Sequence, residues 1–395
     1  MSAWVFVFTT FPVSTETFVQ REIEALIEQG RPLRLYSLWG GSDSFHGVPI
    51  ERFGLRGITE AIARLPGWLW RNPKALTRPL RTLLESPLPN LINAGEQWLG
   101  LAAGLRYAHE WAAADLRHAV WASAPTTALW LTRELTGAPY SFGGHAYDLF
   151  EDGGDALLPT KIAAAEGIRT STGAGHERLI AFGADPQRVW LIRRGLVDWP
   201  VVTPVRPERR PLRILSVGRL VEKMGYARQL EVYARLKRER VPFTARIIGG
   251  GPLHQALTAD LQKRDLTAEV QLTGAQPFAT VAEALAWADV LLFTGVVAAS
   301  GDRAGLPNII GEALAAGVPV VATPVGGVAE VIVPEENGLL AETVDDLATA
   351  LTRLTHDTAL AEKLHTNGQS WARTHFDARQ NVAHLAQRLA GTVSA

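Results

Sequence analysis

The sequence predicts an α/β protein made of two doubly wound domains. Length is the first observation: 395 residues exceed one ordinary core, so two domains of about 190 residues each are expected. The second is the alternation of short apolar runs with helical periodicity after residue 212, the pattern of strands and helices taking turns. The third is a βαβ opening at the N-terminus, which calls for a parallel sheet covered by helices.

The elements follow in order. "WVFVFTT", Trp4 to Thr10, is a buried strand, and "FPVSTE" after it is a loop. "TETFVQREIEALIEQG" places Phe18, Ile23, Leu26 and Ile27 on one helix face, with Gly30 as its stop. "PLRLYSLW" is the next strand. Residues 55 to 135 read as helical and rich in tryptophan. "AVWASA" (119–124) and "APYSFGGHAYD" (138–148) read as strand-to-loop units, and "GIRTST" and "RVWLIRRGL" as further strands. The prolines and arginines of "DWPVVTPVRPERRP", 198–211, read as a stiff, polar linker.

Beyond it, strand "RILSVG" (213–218) precedes helix 226–240, "TARIIGG" precedes helix 252–264, and "EVQLTG" precedes helix 278–288. Strand "DVLLFTG" is followed by a helix starting near Pro307, then strand "PVVATP". The expected boundaries are a first domain at 1–198, a linker at 199–211 and a second domain at 212–375. A helical segment at 376–395 is expected to pack back on the first domain.

Composition narrows the function. Hydrophobic residues make up 47% and charged residues 20%, as in a soluble globular chain. A net charge of −1 and a pI near 6.8 recruit no nucleic acid, and no nucleic-acid-binding signature is present. The absence of cysteine excludes disulfides, cysteine zinc sites and thiol catalysis, and fits a reducing cytoplasm. The N-terminus lacks the basic segment of a signal peptide. No uncharged apolar run reaches the ~20 residues of a spanning helix; the longest candidate, 286–299, is interrupted by Asp289.

Four stretches carry candidate chemistry. In "SVGRLVEKMG" a strand ends at Gly218, and Arg219 and Lys223 follow before Gly225. Cations just beyond a strand's carboxyl end suit a diphosphate; a solvated loop is the plain alternative. "RIIGGGP" is a glycine-rich strand-to-helix turn in which Gly250 allows close backbone approach. In "GDRAGLPNIIGEALAAG", Pro307 suits a first helical turn, and backbone donors around Gly305 and Leu306 suit phosphate or sugar oxygens. Glu312 lies inside that helix among apolar residues, where an acid has a specific partner such as ribose hydroxyls, or faces solvent. In "SFGGHAYD", His145 follows a strand and two glycines. It is either a structural histidine or one placed at a ligand-binding strand end. Asp148 either orients its ring or caps the following turn.

These pieces in this order resemble the GT-B glycosyltransferases, specifically the large retaining family 4. The resemblance covers nearly the whole chain. It is strongest in "VGRLVEKMG", "IIGGGP", "GLPNIIGEALAAGVPVVATPVGGVAEVI" and "ENGLL", with "FPVSTETFVQREI" and "HAYD" in the first half. Within the family, "TTFPVSTETF" is similar to enzymes that build exopolysaccharide, lipopolysaccharide or related surface glycans.

The resemblance implies two Rossmann-like domains facing across a cleft, with a nucleotide-sugar donor on the second and a glycan or lipid-linked acceptor on the first. It implies Arg219 as phosphate ligand, Glu312 as ribose ligand, and His145 near the transferred sugar. Gly218, Gly250, Gly305 and Leu306 would line the donor. Loop 11–15, with Pro12, Ser14 and Thr15, would border the donor phosphates and the acceptor. The implied reaction is sugar transfer with retained anomeric configuration, with no cofactor and no metal; no clear DxD metal motif is present.

Two family positions differ. A lysine expected before the glycine is Met224, and the first glutamate of an acid pair is Ala304. Lys223 beside the one and Asp302 near the other are the candidates to compensate. Besides an active or weakened transferase, two readings remain open: an impaired homologue that binds nucleotide or partners, and a nucleotide-sugar epimerase.

Residues 62–82, "IARLPGWLWRNPKALTRPLRT", hold Arg64, Arg71, Lys74, Arg78 and Arg81, no acid, and Trp68 and Trp70. Such a segment either docks peripherally on an anionic membrane or is a helix face with tryptophans in the core.

Overall fold

The computed structural model describes residues 3–87 and 90–392. The expected opening and C-terminal segments extend into residues 1–2 and 393–395, which lie outside the described residues. The chain divides into two compact units, one of Met1–Arg194 with Ala378–Ala395, the other of Gly195–Asp377.

The first unit runs β1 (Trp4–Phe8), α1 (Thr17–Glu28), β2 (Leu33–Ser37), β3 (Ser44–Phe45), β4 (Val48–Arg52), α2 (Gly54–Arg71), α3 (Pro73–Glu85) and α4 (Leu91–Ala112). It continues with β5 (Leu116–Ala119), α5 (Ala124–Thr136), β6 (Ser141–Gly143), α6 (Tyr147–Phe150), α7 (Leu158–Ala164), β7 (Gly167–Thr170), α8 (Gly173–Ala181) and β8 (Val189–Leu191). Its eight-stranded sheet has the order β3-β4-β2-β1-β5-β6-β7-β8. All its pairings are parallel except β3 with β4. The strand-to-loop unit expected at 119–124 begins on the last residue of β5, and 120–123 is loop.

The first strand shows why the sheet is buried on both faces. Val5 and Val7 enter one apolar core with Trp111 and Leu129. Trp4, Phe6 and Phe8 enter the opposite core with Phe18 and Ile23 of α1. A period of two feeding two cores makes the strand apolar throughout.

The second unit runs β9 (Leu212–Val217), α9 (Tyr226–Arg238), β10 (Phe243–Ile248), α10 (His254–Lys263), β11 (Val270–Leu272), α11 (Phe278–Trp287) and β12 (Val290–Phe293). Then come α12 (Asn308–Ala316), β13 (Val320–Ala322), β14 (Leu339–Leu340), α13 (Val344–His356) and α14 (Thr358–His375). Its sheet is parallel with the order β11-β10-β9-β12-β13-β14. The last helix, α15 (Ala378–Gly391), is part of the first unit, where Val382, Leu385 and Leu389 share a core with Phe18 and Leu26 of α1.

Both sheets change direction in strand order at one point. In the first unit it falls between β1 and β5, in the second between β9 and β12. Ligands of open parallel sheets sit outside the carboxyl ends of the strands at such points.

Candidate functional site

In the second unit the switch point opens between Gly218, after β9, and Thr294, after β12. Three loops are tied together there. Thr294 donates from its hydroxyl to the Gly225 carbonyl at 2.9 Å, and Thr323 to the Gly295 carbonyl at 2.7 Å. The Val296 N–H donates to the Lys223 carbonyl at 3.0 Å and the Gly327 N–H to the Gly305 carbonyl at 2.6 Å. Gly225 sits at φ +72°, where a Cβ would collide with the Thr294 carbonyl. Only glycine allows both the turn and the close approach.

Arg219 is exposed, and among the described residues its guanidinium has no ion-pair or hydrogen-bond partner. Lys223 is buried, with Nζ 2.6 Å from Asp302 Oδ2. The two residues named as possible replacements for the missing lysine and glutamate are therefore partners of each other, bridging the loops after β9 and β12. Asp302 Oδ1 is buried without a hydrogen bond among the described residues.

Gly250 accepts from the Leu220 N–H at 2.8 Å. Leu306 is buried. Pro307 stands one residue before α12, as its N-cap, rather than in the first turn; no side chain caps that helix. Glu312 is buried on α12. Ala304 is buried in an apolar cluster with Leu306 and Val328, and a Cβ on Gly326 would collide with its carbonyl. Met224 packs against both cores of this unit.

In the first unit, His145 follows β6 and is buried. Trp121 and Phe18 meet its ring edge-on at 5.2 and 5.7 Å. Arg169 approaches Nε2 at 3.2 Å, while Nδ1 has no hydrogen bond among the described residues. Burial, then the charges of Arg169 and Arg194, hold the imidazole well below its usual pKa, so the ring is neutral.

Asp148 does not orient that ring. Its carboxylate accepts from the backbone N–H groups of Ala122, His145 and Ala146 at 3.1, 3.0 and 2.8 Å, so it caps the turn. Pro12, Ser14 and Thr15 lie on the loop after β1; Ser14 and Thr15 are exposed. That loop is anchored by Glu16, which accepts from the Trp121 indole at 3.2 Å.

Sequence reasoning missed the charges behind His145. Arg169 pairs with Glu22 at 3.0 Å, both buried. Arg194 stacks on Phe18, 3.4 Å from the ring centre. Also missed was a polar pocket of about 70 Å³ whose lining includes Asn93, Glu96, Ser123, Tyr147 and Glu151. No short motif marks it, because its walls come from α4, the loop after β5 and the 147–155 segment.

Glu96 is pushed up to about 7 from 4.5, mainly by burial and next by Asp155, with Lys161 and Ser123 pulling down and Asp148 pushing up. Between those two values the folded state holds a proton that the unfolded chain has lost. Stability therefore falls as pH rises through that window. Glu96→Gln is expected to match wild type near pH 4.5 and to exceed it by roughly 2–3 kcal/mol at pH 8. Urea melts at the two pH values measure this; equal differences at both would contradict the assignment.

The comparisons with known proteins fit this geometry. Residues 204–371 match the family described as "Glycosyl transferases group 1". The chain is 28% identical over 386 residues to the putative colanic acid biosynthesis glycosyltransferase WcaL of Salmonella typhimurium, covering 88% of this chain and 90% of the relative. It is 28% identical over 406 residues to the amylovoran biosynthesis glycosyltransferase AmsK of Erwinia amylovora, covering 96% and 98%. The crystal structure of Anabaena HepE in complex with UDP superposes with a TM-score of 0.73 at 16% identity, covering 99% of this chain and all of the other. The fold is that of the GT-B glycosyltransferases. With a group 1 domain in its second unit and relatives of that name along nearly its whole length, the protein is a glycosyltransferase.

Proposed function

We propose that the protein is a retaining, metal-independent glycosyltransferase of family 4 that moves a sugar from a nucleotide-sugar donor to a glycan or lipid-linked acceptor in surface polysaccharide assembly. The observation that carries this reading is the switch point of the second unit. Exposed Arg219, without a guanidinium partner among the described residues, stands just past β9, Lys223 follows on the same loop and pairs with Asp302 from the loop after β12, and Glu312 is buried on the next helix, α12. The names of the WcaL and AmsK relatives support the polysaccharide role. The HepE complexes with UDP and UDP-glucose support a uridine nucleotide as the first donor to try.

In this reading the diphosphate leaves against Arg219, Lys223 and the N-terminus of α12, which are oriented before the charge develops. Lys223 is held in place by its ion pair with Asp302. Glu312 accepts from the ribose hydroxyls. The acceptor hydroxyl attacks from the face the leaving group vacates, and a phosphate oxygen takes its proton. Neutral His145 offers Nδ1 to a sugar hydroxyl. The Glu96 pocket receives part of the acceptor, and loop 11–15 borders both substrates.

A peripheral membrane surface on the cytoplasmic side completes the proposal. Segment 62–82 spans α2 and α3, and it divides. Trp68 is in the core, with its indole N–H on the Leu105 carbonyl at 3.2 Å. Trp70 is 85% exposed, beside exposed Leu69, Arg71 and Lys74. Among the described residues no helix is long and apolar enough to cross a membrane.

A thermal-shift panel of nucleoside diphosphates and nucleotide sugars tests the donor site, followed by donor hydrolysis. Ligand at about 100 times Kd adds about 2.7 kcal/mol to stability. No stabilisation by any nucleotide would sink the assignment, and binding without turnover of any donor would favour the impaired homologue. The same protein should sediment with anionic vesicles and lose that at high salt. Failure to sediment at low salt would remove the membrane surface.

A further inference from the structure

A second cavity lies at the opposite end of the second unit's sheet. It has a volume of about 210 Å³, and Arg206, Arg209, Arg213, Trp287, Pro204 and Pro319 are in its wall. Arg213 is the second residue of β9, Asp289 directly precedes β12, and Pro319 directly precedes β13. The candidate donor loops leave these strands at their other ends, and a six-residue strand is about 20 Å long. The cavity is therefore separate from the donor site.

Its charge balance is uneven. Asp289 contributes the wall's carboxylate, and it is already engaged. It accepts from Arg206 Nε and Nη2 at 3.0 and 2.5 Å and from the Arg213 backbone N–H at 2.8 Å. Glu208, whose charge also reaches Arg206, is exposed. Arg209 is buried and spends its donors on the carbonyls of Leu354 and Arg206, at 2.6 and 2.8 Å, and on the Thr358 hydroxyl at 3.3 Å. None of these partners is a carboxylate.

Arg213 differs from its neighbours. Among the described residues its guanidinium has no hydrogen-bond or ion-pair partner, and it lies 5.9 Å from the centre of the Trp287 ring. Arg246 stacks on the same ring at 4.0 Å. The wall thus offers an uncommitted guanidinium fork beside an indole, two prolines and the small residues Gly317 and Ala288.

The geometry points to a second ligand site here, for a small phosphate ester carrying a ring. Arg213 takes the phosphate, for which a planar fork of donors is matched. Trp287 and the prolines pack the ring. The cavity is smaller than the ~300 Å³ at which pockets for drug-sized ligands begin, so a monophosphate ester fits the space better than a nucleotide sugar. This site is independent of the donor reading.

The probe is phenyl phosphate, followed by saturation-transfer NMR and titration calorimetry on the full chain. Wild type is expected to bind it more tightly than inorganic phosphate. Arg213→Gln should weaken binding about tenfold, equivalent to about 1.4 kcal/mol, with an unchanged melting temperature. Arg213→Lys should retain part of the affinity, and Trp287→Leu should erase the preference over inorganic phosphate. Arg219→Ala should leave binding intact. No binding at millimolar probe would overturn the proposal. So would binding that survives Arg213→Gln and disappears in Arg219→Ala, because the anion would then occupy the donor loops.

Discussion

Arg219→Ala is expected to reduce donor turnover by roughly 10²–10³ while leaving the fold intact. The magnitude is that of removing one preorganised charge or donor from a developing anion. The fold should survive because the side chain is exposed and supports no hydrogen bond among the described residues. Lys223 is the poorer first target. Its ammonium is tied to Asp302 at 2.6 Å, so its removal strands a buried carboxylate and mixes stability with catalysis. Steady-state hydrolysis of the donor that the panel identifies, together with a melting curve, checks the result. A wild-type rate in the Arg219→Ala protein would remove Arg219 from the mechanism.

The largest stability effect is expected from Asp155→Ala in the first unit. Lys161 and Asp155 are both fully enclosed, with Nζ 2.6 Å from Oδ1. The ammonium also donates to the carbonyls of Ala122 and Ser123 at 2.7 and 3.2 Å. It thereby ties α7 to the loop after β5. Asp155 in turn accepts from Gln97 at 2.6 Å and from the Leu157 N–H at 3.0 Å.

Removing the carboxylate leaves a buried cation and takes the acceptor from Gln97, Asn93 and the Leu157 N–H, a loss of about 3–5 kcal/mol. Burial already holds the Lys161 pKa below its usual value, with Asp155 the strongest opposing influence. The variant lysine should therefore lose its proton more readily still. Asp155→Ala with Lys161→Met should recover part of the loss. Urea unfolding followed by tryptophan fluorescence measures it; a loss under about 1 kcal/mol would contradict the role of the pair.

Strands such as β1 and β12 were legible because they are buried on both faces and so read as short apolar runs. The helices were legible from their stripes. What escaped has a physical reason in each case. The β3–β4 hairpin is short, half-exposed and carries Pro49, so it shows neither alternation nor an apolar run. Lys161 in "LPTKIAA" looks like a solvated helix position, and its burial is evident only once β5 is in place.

Arg169 and Glu22 are 147 positions apart in sequence, and nothing local announces their pair. The segment 198–211 reads as polar linker, yet Arg209 is buried and Arg206 is locked to Asp289, 83 residues away. Four prolines and a run of arginines describe composition; they do not say which guanidiniums a later helix will cover. For the candidate site the pattern was clearer. Arg219 and Lys223 follow the end of β9, Asp302 lies in the loop after β12 and pairs with Lys223, and Glu312 is on α12; strand ends and glycine turns are local signals. The Glu96 pocket and the arginine cavity, each walled by segments distant in sequence, are not local and were not readable.

The departures at Met224 and Ala304 take on a definite form in the structure. Ala304 is packed into the core of the second unit and Met224 packs against it, and the charges that sequence neighbours were expected to supply are joined as one ion pair. In the proposed function, binding of nucleotide therefore rests most directly on Arg219.

Calorimetric titration of UDP into the purified chain tests that dependence directly. The account predicts one site per chain, weakened at least about tenfold by Arg219→Ala, a loss of about 1.4 kcal/mol, and unchanged by Arg213→Gln. Absence of any binding heat for UDP and the other nucleoside diphosphates, or undiminished affinity in Arg219→Ala, would contradict it.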